Sequence, residues 1–354
     1  MAKTDAPNTF WKATGVKTLE QLAVEHREEW AQRSRTQQQL EIENNQAVAK
    51  LYDLEDEINS DVPLERVSLT NNSAFRWPDK TQEERDTLFI QSAIADVVSY
   101  AVGCMFGRYS LDKPGLILAD QGATVQDYLA QVPQPTFMPD ADNVLPIVDG
   151  DWFEDDVVAK FREFLRVTFG EEHFEENLRF VEESLGVQTL RDYFITGKGK
   201  SKFYEDHVQR YKKRPIYWMF SSPKGSFNAL IYMHRYTPST VSAVLNEYLR
   251  EYEAKLNVSL QNLERDANSG KLPSRGAAAK EAERLRKISI ELSEYEHDVL
   301  YPLASRRLEI DLDDGVLVNY LRFGKALKDI GLEKERKKVE EWTWPKHKLE
   351  PEDA

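Results

Sequence analysis

Most of the devices that enzymes use to bind phosphates, metals or acyl groups are missing from this sequence. It has no GxxxxGK[ST] loop and no GxGxxG, so neither glycine-rich phosphate cradle can be placed. Its six histidines are scattered without metal-ligand spacing, and a single cysteine excludes an intrachain disulfide or a Cys/His cluster. That residue, Cys104, lies in the apolar stretch YAVGCMF and reads as a buried free thiol. There is no GxSxG elbow, and the dipeptide Pro-Pro does not occur. No apolar run approaches the ~18 residues that span a bilayer. MAKTDAPNTFWK at the N-terminus lacks the apolar segment of a secretory signal. These absences read as a cytoplasmic chain with no membrane partner, no metal and no cofactor of its own.

What is present is a globular composition. With 354 residues, 41% hydrophobic and 31% charged, the chain is long enough for two or three domains and a sizeable core. A net charge of -14 argues at first against nucleic acid as a partner. The charge is unevenly placed, however. Asp140 to Glu183 holds 14 carboxylates against 4 cations, whereas Lys198 to Arg235 holds 9 Lys/Arg against Glu205 and Asp206 alone.

Helical periodicity dominates the rest. Residues 17–58 and about 82–106 read as helices, the second broken by Gly107, Pro114 and Gly115, with LERVSLTNN between them as a short strand and turn. Arg108 and Tyr109 read as a helix end closing on itself, with phosphate contact as the alternative. Four prolines make 130–150 an extended linker or surface loop. Phe153, Val157, Phe161, Phe164 and Leu165 then mark an amphipathic helix, followed by a second in EEHFEENLRFVEESLG. Segments 238–267 and about 276–303, separated by SGKLPSRG, form an antiparallel helical arm, roughly 40 Å long at ~1.5 Å per residue. LEIDLDDGVLVNYLRFGKAL closes the chain as a strand and helix. Its DLDDG is a turn and not a calcium loop, because Arg322 stands where a bidentate Glu is needed.

The most informative stretch is GKGKSKFYEDHVQRYKKRPIYWMFSSPKGSF. Strands IYWMF and FNALIYMHR flank Ser222-Pro223-Lys224-Gly225, a turn in which Pro fixes φ and Gly is free to take φ > 0. Alternate strand residues are expected to face a core. Glycines beside Lys198, Lys200 and Lys202 suit a loop that moulds itself to a phosphate backbone. Lys212, Lys213 and Arg214 lead into the hairpin, Arg235 leaves at the same edge, and Lys224 marks the tip. A ribbon of this kind enters a DNA groove or rides its backbone. The cations then touch phosphates while Ser222 and Asn228 reach base edges. A surface hairpin kept soluble by lysines accounts for the same composition.

Three long runs resemble one known family: VSYAVGCMFGRYSLDKPGLILADQG, DGDWFEDDVVAKFREFLRVTFGEEHFEENLRF and HVQRYKKRPIYWMFSSPKGSFNALIYMHRYTPSTVSAVLNEYLREY. Over roughly residues 40–325 the chain is similar to the C-terminal region of the PglX adenine-specific DNA methyltransferases of BREX phage-defence systems. The resemblance implies S-adenosylmethionine as the full-length enzyme's cofactor and N6-adenine methylation as its reaction. It also implies double-stranded DNA, the methyltransferase half of the same enzyme and other BREX proteins as partners. The family's Asn-Pro-Pro-Tyr motif and cofactor loop do not occur here, so no catalytic residue carries over.

The expected fold is α+β and mostly helical, with a small antiparallel hairpin and a long antiparallel helical pair. Its segments are a helical connector (1–129), the linker (130–150), a target-recognition region (151–237), the arm (238–305) and a C-terminal strand, helix and tail (306–354). The expected function is DNA binding and target recognition without catalysis. A protein-interaction module docking through the arm is the alternative.

Overall fold

The structure, a computed structural model, describes residues 17–269 and 272–341. The stretch read for a signal, positions 270–271 within the expected break SGKLPSRG, and the tail from residue 342 lie outside them. The fold is α+β and mostly helical, as expected. Its residues cluster into two compact units that interleave along the chain. The first takes the described residues up to Val102 together with Phe161–Leu190, the second Gly103–Lys160 together with those from Arg191 on.

In the first unit, helix α1 (Leu19–Leu51) starts at a capping box. The Thr18 hydroxyl accepts from the Gln21 amide, and the Gln21 side chain accepts from the Thr18 amide. Helix α2 (Gln82–Met105) starts the same way, Thr81 and Glu84 bonding each other's amides. Ile94, Val97, Val98, Ala101 and Val102 recur along α2 at helical spacing and are fully buried. A window of α2 reaches a mean hydropathy of 1.5, enough to cross a membrane by length and composition. Gln91, Ser92, Asp96 and Ser99 interrupt that run, and 61% of it is buried within the protein. Helix α3 (Val157–Phe169) leads to α4 (Phe174–Leu185), which buries Phe174, Asn177, Val181 and Leu185 and ends at Gly186 in the left-handed region, φ 68. Asn177 Oδ1 accepts from the Leu19 amide at 2.8 Å, tying α4 to the start of α1. LERVSLTNN forms a 3₁₀ turn (Leu64–Arg66) in place of the expected strand. There Asn72 Nδ2 donates to the Leu64 and Val67 carbonyls, each at 2.8 Å, and removes the acceptors a neighbouring strand would need.

The second unit is built on a three-stranded antiparallel sheet, β1 (Leu145–Pro146), β2 (Tyr217–Ser221) and β3 (Asn228–Tyr232), in the order β1–β3–β2. The linker expected at 130–150 therefore contributes a strand, and Val144–Val148 are buried. Pro146 is tolerated because β1 is an edge strand that need not donate there. In β2 and β3 every residue is buried, so the expected alternation of core and surface is absent. Both faces are covered. Trp218 and Phe220 pack edge-on against Phe323, while Tyr217 stacks on Phe106 at 5.1 Å.

Helix α5 (Lys202–Arg210) precedes β2. After β3 a helical run passes through a π-helical segment (Val244–Leu249) into α6 (Arg250–Ser269). Its partner α7 (Leu272–Tyr295) continues into a second π-helical segment (Glu296–Leu300). These helices form the expected arm. Tyr252, Leu256, Leu285 and Leu292 are buried along it, with Arg286–Glu264 at 2.6 Å and Arg250–Glu296 at 2.7 Å across it. The final segment has helix α8 (Val316–Arg322) but not the expected strand. The side-chain amide of Gln121 occupies both backbone groups a strand would pair. It donates to the Ile310 carbonyl at 2.9 Å and accepts from the Leu312 amide at 2.7 Å. Helix α9 (Glu333–Glu341) follows.

Candidate nucleic-acid interface

The basic segment begins in a closed turn. The Thr196 amide donates to the Lys200 carbonyl and the Gly199 amide to the Thr196 carbonyl, both at 2.8 Å. Gly199 has φ +72, and a Cβ there would collide with the Lys224 carbonyl oxygen of the hairpin tip. Glycine is therefore needed for close approach rather than for a loop that moulds itself to a partner. The same approach sets Gly199 and its lysine neighbours against the tip that carries Lys224. Lys198, Lys200 and Lys224 are exposed. Lys202, on the first turn of α5, is exposed and pairs with Asp206 at 2.7 Å. That is an i,i+4 pair contributing only a few tenths of a kcal/mol (~0.3–0.5).

At the other end of α5 the chain folds back in a Schellman arrangement. The Lys213 amide donates to the Val208 carbonyl at 2.8 Å and the Lys212 amide to the Gln209 carbonyl at 3.0 Å. This closure requires a positive φ, normally supplied by glycine. Here two consecutive lysines adopt it, Lys212 at φ 50 and Lys213 at φ 61. Both side chains are exposed, as is Arg214. Beneath them His207 is buried, accepting from the Tyr217 amide at 3.1 Å through Nε2. Burial, then Arg210 and Arg108, push it down to about 3, so it is neutral.

Three expected contact residues are turned inward. Ser222 Oγ donates to Glu291 at 2.6 Å and accepts from the Phe227 amide. Asn228 is fully buried: its Oδ1 accepts from Ser221, and its Nδ2 donates to the Gly225 and Ile147 carbonyls. Neither presents a group to a base edge, because the hairpin is a core element whose polar groups must be satisfied internally. Arg235 does not share an edge with Arg214. A 3₁₀ turn after β3 sends it inward, 6% exposed, to the Ala141 carbonyl at 3.1 Å, where burial lowers its pKa and Asp140 and Asp142 oppose that. Arg108 is likewise buried, donating to the hydroxyls of Tyr109 and Tyr232. The hairpin tip is clamped from α7, where the Glu291 carboxylate accepts from Ser222, the Lys224 amide at 2.7 Å and Ser226 at 2.5 Å.

No family model matches the chain. It is 39% identical over 288 residues to the adenine-specific methyltransferase BrxX of Escherichia coli O9:H4 (strain HS), which covers 75% of the chain and 23% of the relative. It is 35% identical over 299 residues to the adenine-specific methyltransferase PglX of Lacticaseibacillus casei (strain Zhang), covering 80% of the chain and 22% of the relative. The chain is homologous to one part of the BrxX/PglX methyltransferases. It spans under a quarter of the length of these curated relatives.

The structure adds cations from the C-terminal segment. Lys328 joins Lys200, Lys212 and Lys213 around one groove, and Lys325 and Arg336 line a second that shares Lys328. The run KALKDIGLEKERKK signals them by composition. The distance of some 120 residues from the hairpin concealed their proximity to it.

Proposed function

We propose that this chain is the DNA-holding and target-recognition portion of a BREX-type, S-adenosylmethionine-dependent N6-adenine methyltransferase. The backbone contacts are assigned to the exposed cations Lys198, Lys200, Lys202, Lys212, Lys213, Arg214 and Lys224. Methyl transfer is assigned to the length of the relatives that this chain does not span, since Asn-Pro-Pro-Tyr and a glycine-rich cofactor loop do not occur here. The methyltransferase part and other BREX proteins are its proposed partners.

One observation carries the reading. Lys212 and Lys213 hold left-handed conformations that cost a non-glycine residue on the order of 1–2 kcal/mol each. Both side chains are exposed; Lys213 Nζ is held by the Gly331 carbonyl at 2.9 Å, whereas among the described residues the Lys212 ammonium has no hydrogen bond or ion pair within the fold. A strained position that keeps a free ammonium at Lys212 supports a role for that charge outside the fold. Base methylation also needs an element that grips the duplex while the target base is extruded.

The test is fluorescence anisotropy of the chain with duplex DNA across a salt series, beside the triple reversal K212E/K213E/R214E. Each neutralised phosphate contributes about 0.9 to the slope of log affinity on log salt. A slope of several units, reduced by about 2.7 in the variant, is expected. An unchanged slope removes the assignment of these three residues. Absence of binding at low salt favours docking through the arm, on which Val258 and Ile290 are each 60% exposed.

A further inference from the structure

The groove beside α5 has a composition that phosphate-backbone contact alone does not use. It encloses about 520 Å³, within the ~300–1,000 Å³ of small-molecule sites. Lys200, Lys212, Lys213 and Lys328 line it together with the apolar Val208 and Ile330, and Met219 lies buried beneath. Lys213 Nζ donates to the Gly331 carbonyl at 2.9 Å and Lys328 Nζ to the Gly199 carbonyl at 3.3 Å. Neutral carbonyls fix the positions of these ammonium groups without cancelling their charge. Among the described residues none of the four lysines has a carboxylate within 4 Å, although Glu205 and Asp329 stand on the same groove. Lys328 is half-buried, and burial lowers its pKa against the pull of Glu205 and Asp329.

A desolvated ammonium above an apolar wall suits a ligand that is flat and apolar at one end and anionic at the other. A bare anion leaves the apolar floor unused, and an apolar ligand leaves the lysines unpaired. From this geometry we infer that the groove binds one nucleoside phosphate unit, with its base against Val208 and Ile330 and its phosphate on Lys212, Lys213 and Lys328. The inference rests on the DNA-binding reading and adds to it a pocket for a single base. The unit arrives either as an unstacked nucleotide of a DNA strand or as a free nucleotide, and the chemistry of the groove is the same for both. Apolar contact recognises a base by its face and tolerates any of the four.

Met219, buried beneath the groove, gives a readout of its occupancy, since the sequence has only five methionines. The chain labelled at methionine methyls is titrated with dAMP, with deoxyribose 5-phosphate, and with a short single-stranded oligonucleotide. Duplex anisotropy is recorded on the same preparation. Expected is a saturable shift of the Met219 resonance with dAMP, at least tenfold weaker with deoxyribose 5-phosphate, and abolished by I330E. Should I330E not fold, K200E on the exposed rim serves, with at least a threefold loss of dAMP affinity. An unmoved Met219, or equal shifts with and without the base, overturns the inference. If duplex binding with a steep salt slope accompanies an unmoved Met219, the groove assignment alone falls. A shift with dAMP and with the oligonucleotide supports a strand as the source. If dAMP shifts Met219 while neither oligonucleotide nor duplex binds, the groove belongs to a free nucleotide and the DNA-binding reading falls.

Discussion

Two consecutive lysines in a conformation that favours glycine make a prediction with opposite signs for stability and binding. Lys212→Gly relieves the left-handed strain at φ 50 while keeping the Schellman bonds. It is expected to raise unfolding stability by roughly 0.5–1 kcal/mol and to weaken duplex binding. Urea midpoints and anisotropy on the one variant measure both. A lysine kept only for structure would show no binding change, which would detach it from the interface. A few residues away, His207 makes the same unit sensitive to acid. Its folded pKa, held near 3 chiefly by burial, lies below the ordinary 6.5. Between those values the unfolded chain binds the extra proton, so stability is fully present above pH 6.5 and falls as pH drops towards 3. His234, lowered to about 4 by burial first, acts in the same direction. Urea midpoints between pH 7.5 and 4.5 are expected to decline, with a shallower decline in His207→Gln.

Among the elements, the hairpin and helix α7 are joined through one buried carboxylate. Glu291 is 4% exposed and accepts three bonds from Ser222, Lys224 and Ser226. Glu291→Ala strands three donors at the tip and is expected to destabilise the protein by about 2–4 kcal/mol, with Glu291→Gln closer to wild type. Equal urea midpoints for the alanine variant and the parent would mean that water replaces the clamp. This clamp also marks what the sequence could and could not tell. The turn SSPKGS and its two apolar runs made the hairpin legible, because local turn chemistry and strand propensity agree there. The partner of Ser222 was not legible. A serine at a basic tip has the same local pattern whether it meets a base edge or a glutamate 69 residues away. Burial of both faces of β2 and β3 was hidden similarly, since the covering residue Phe323 lies about a hundred positions downstream. Strand β1 escaped because prolines describe edge strands as well as linkers. The arm was readable almost throughout, its burial following a helical period within each helix.

Over the whole molecule, a net charge of -14 is an unfavourable background for the proposed DNA contact, which therefore depends on the local cationic strip. Binding through a local strip on an acidic protein is short-ranged, because beyond the ~8 Å Debye length at physiological salt the wider field is screened. The arm follows other rules. It exposes Val258 and Ile290 among side chains paired with one another, such as Arg286 with Glu264 and Lys287 with Glu283. Exposed apolar side chains within a laced charged surface suit contact with protein better than contact with phosphates. Substituting Val258 and Ile290 together by Asp removes mostly exposed apolar surface, so stability should change by no more than about 1 kcal/mol. Duplex affinity should stay within twofold, because neither residue belongs to the strip. Co-purification with a separately expressed methyltransferase part should fall at least tenfold if the arm is the docking surface. A loss of duplex affinity in this variant, with its fold intact by circular dichroism, would move the nucleic-acid interface from the lysines beside α5 to the arm.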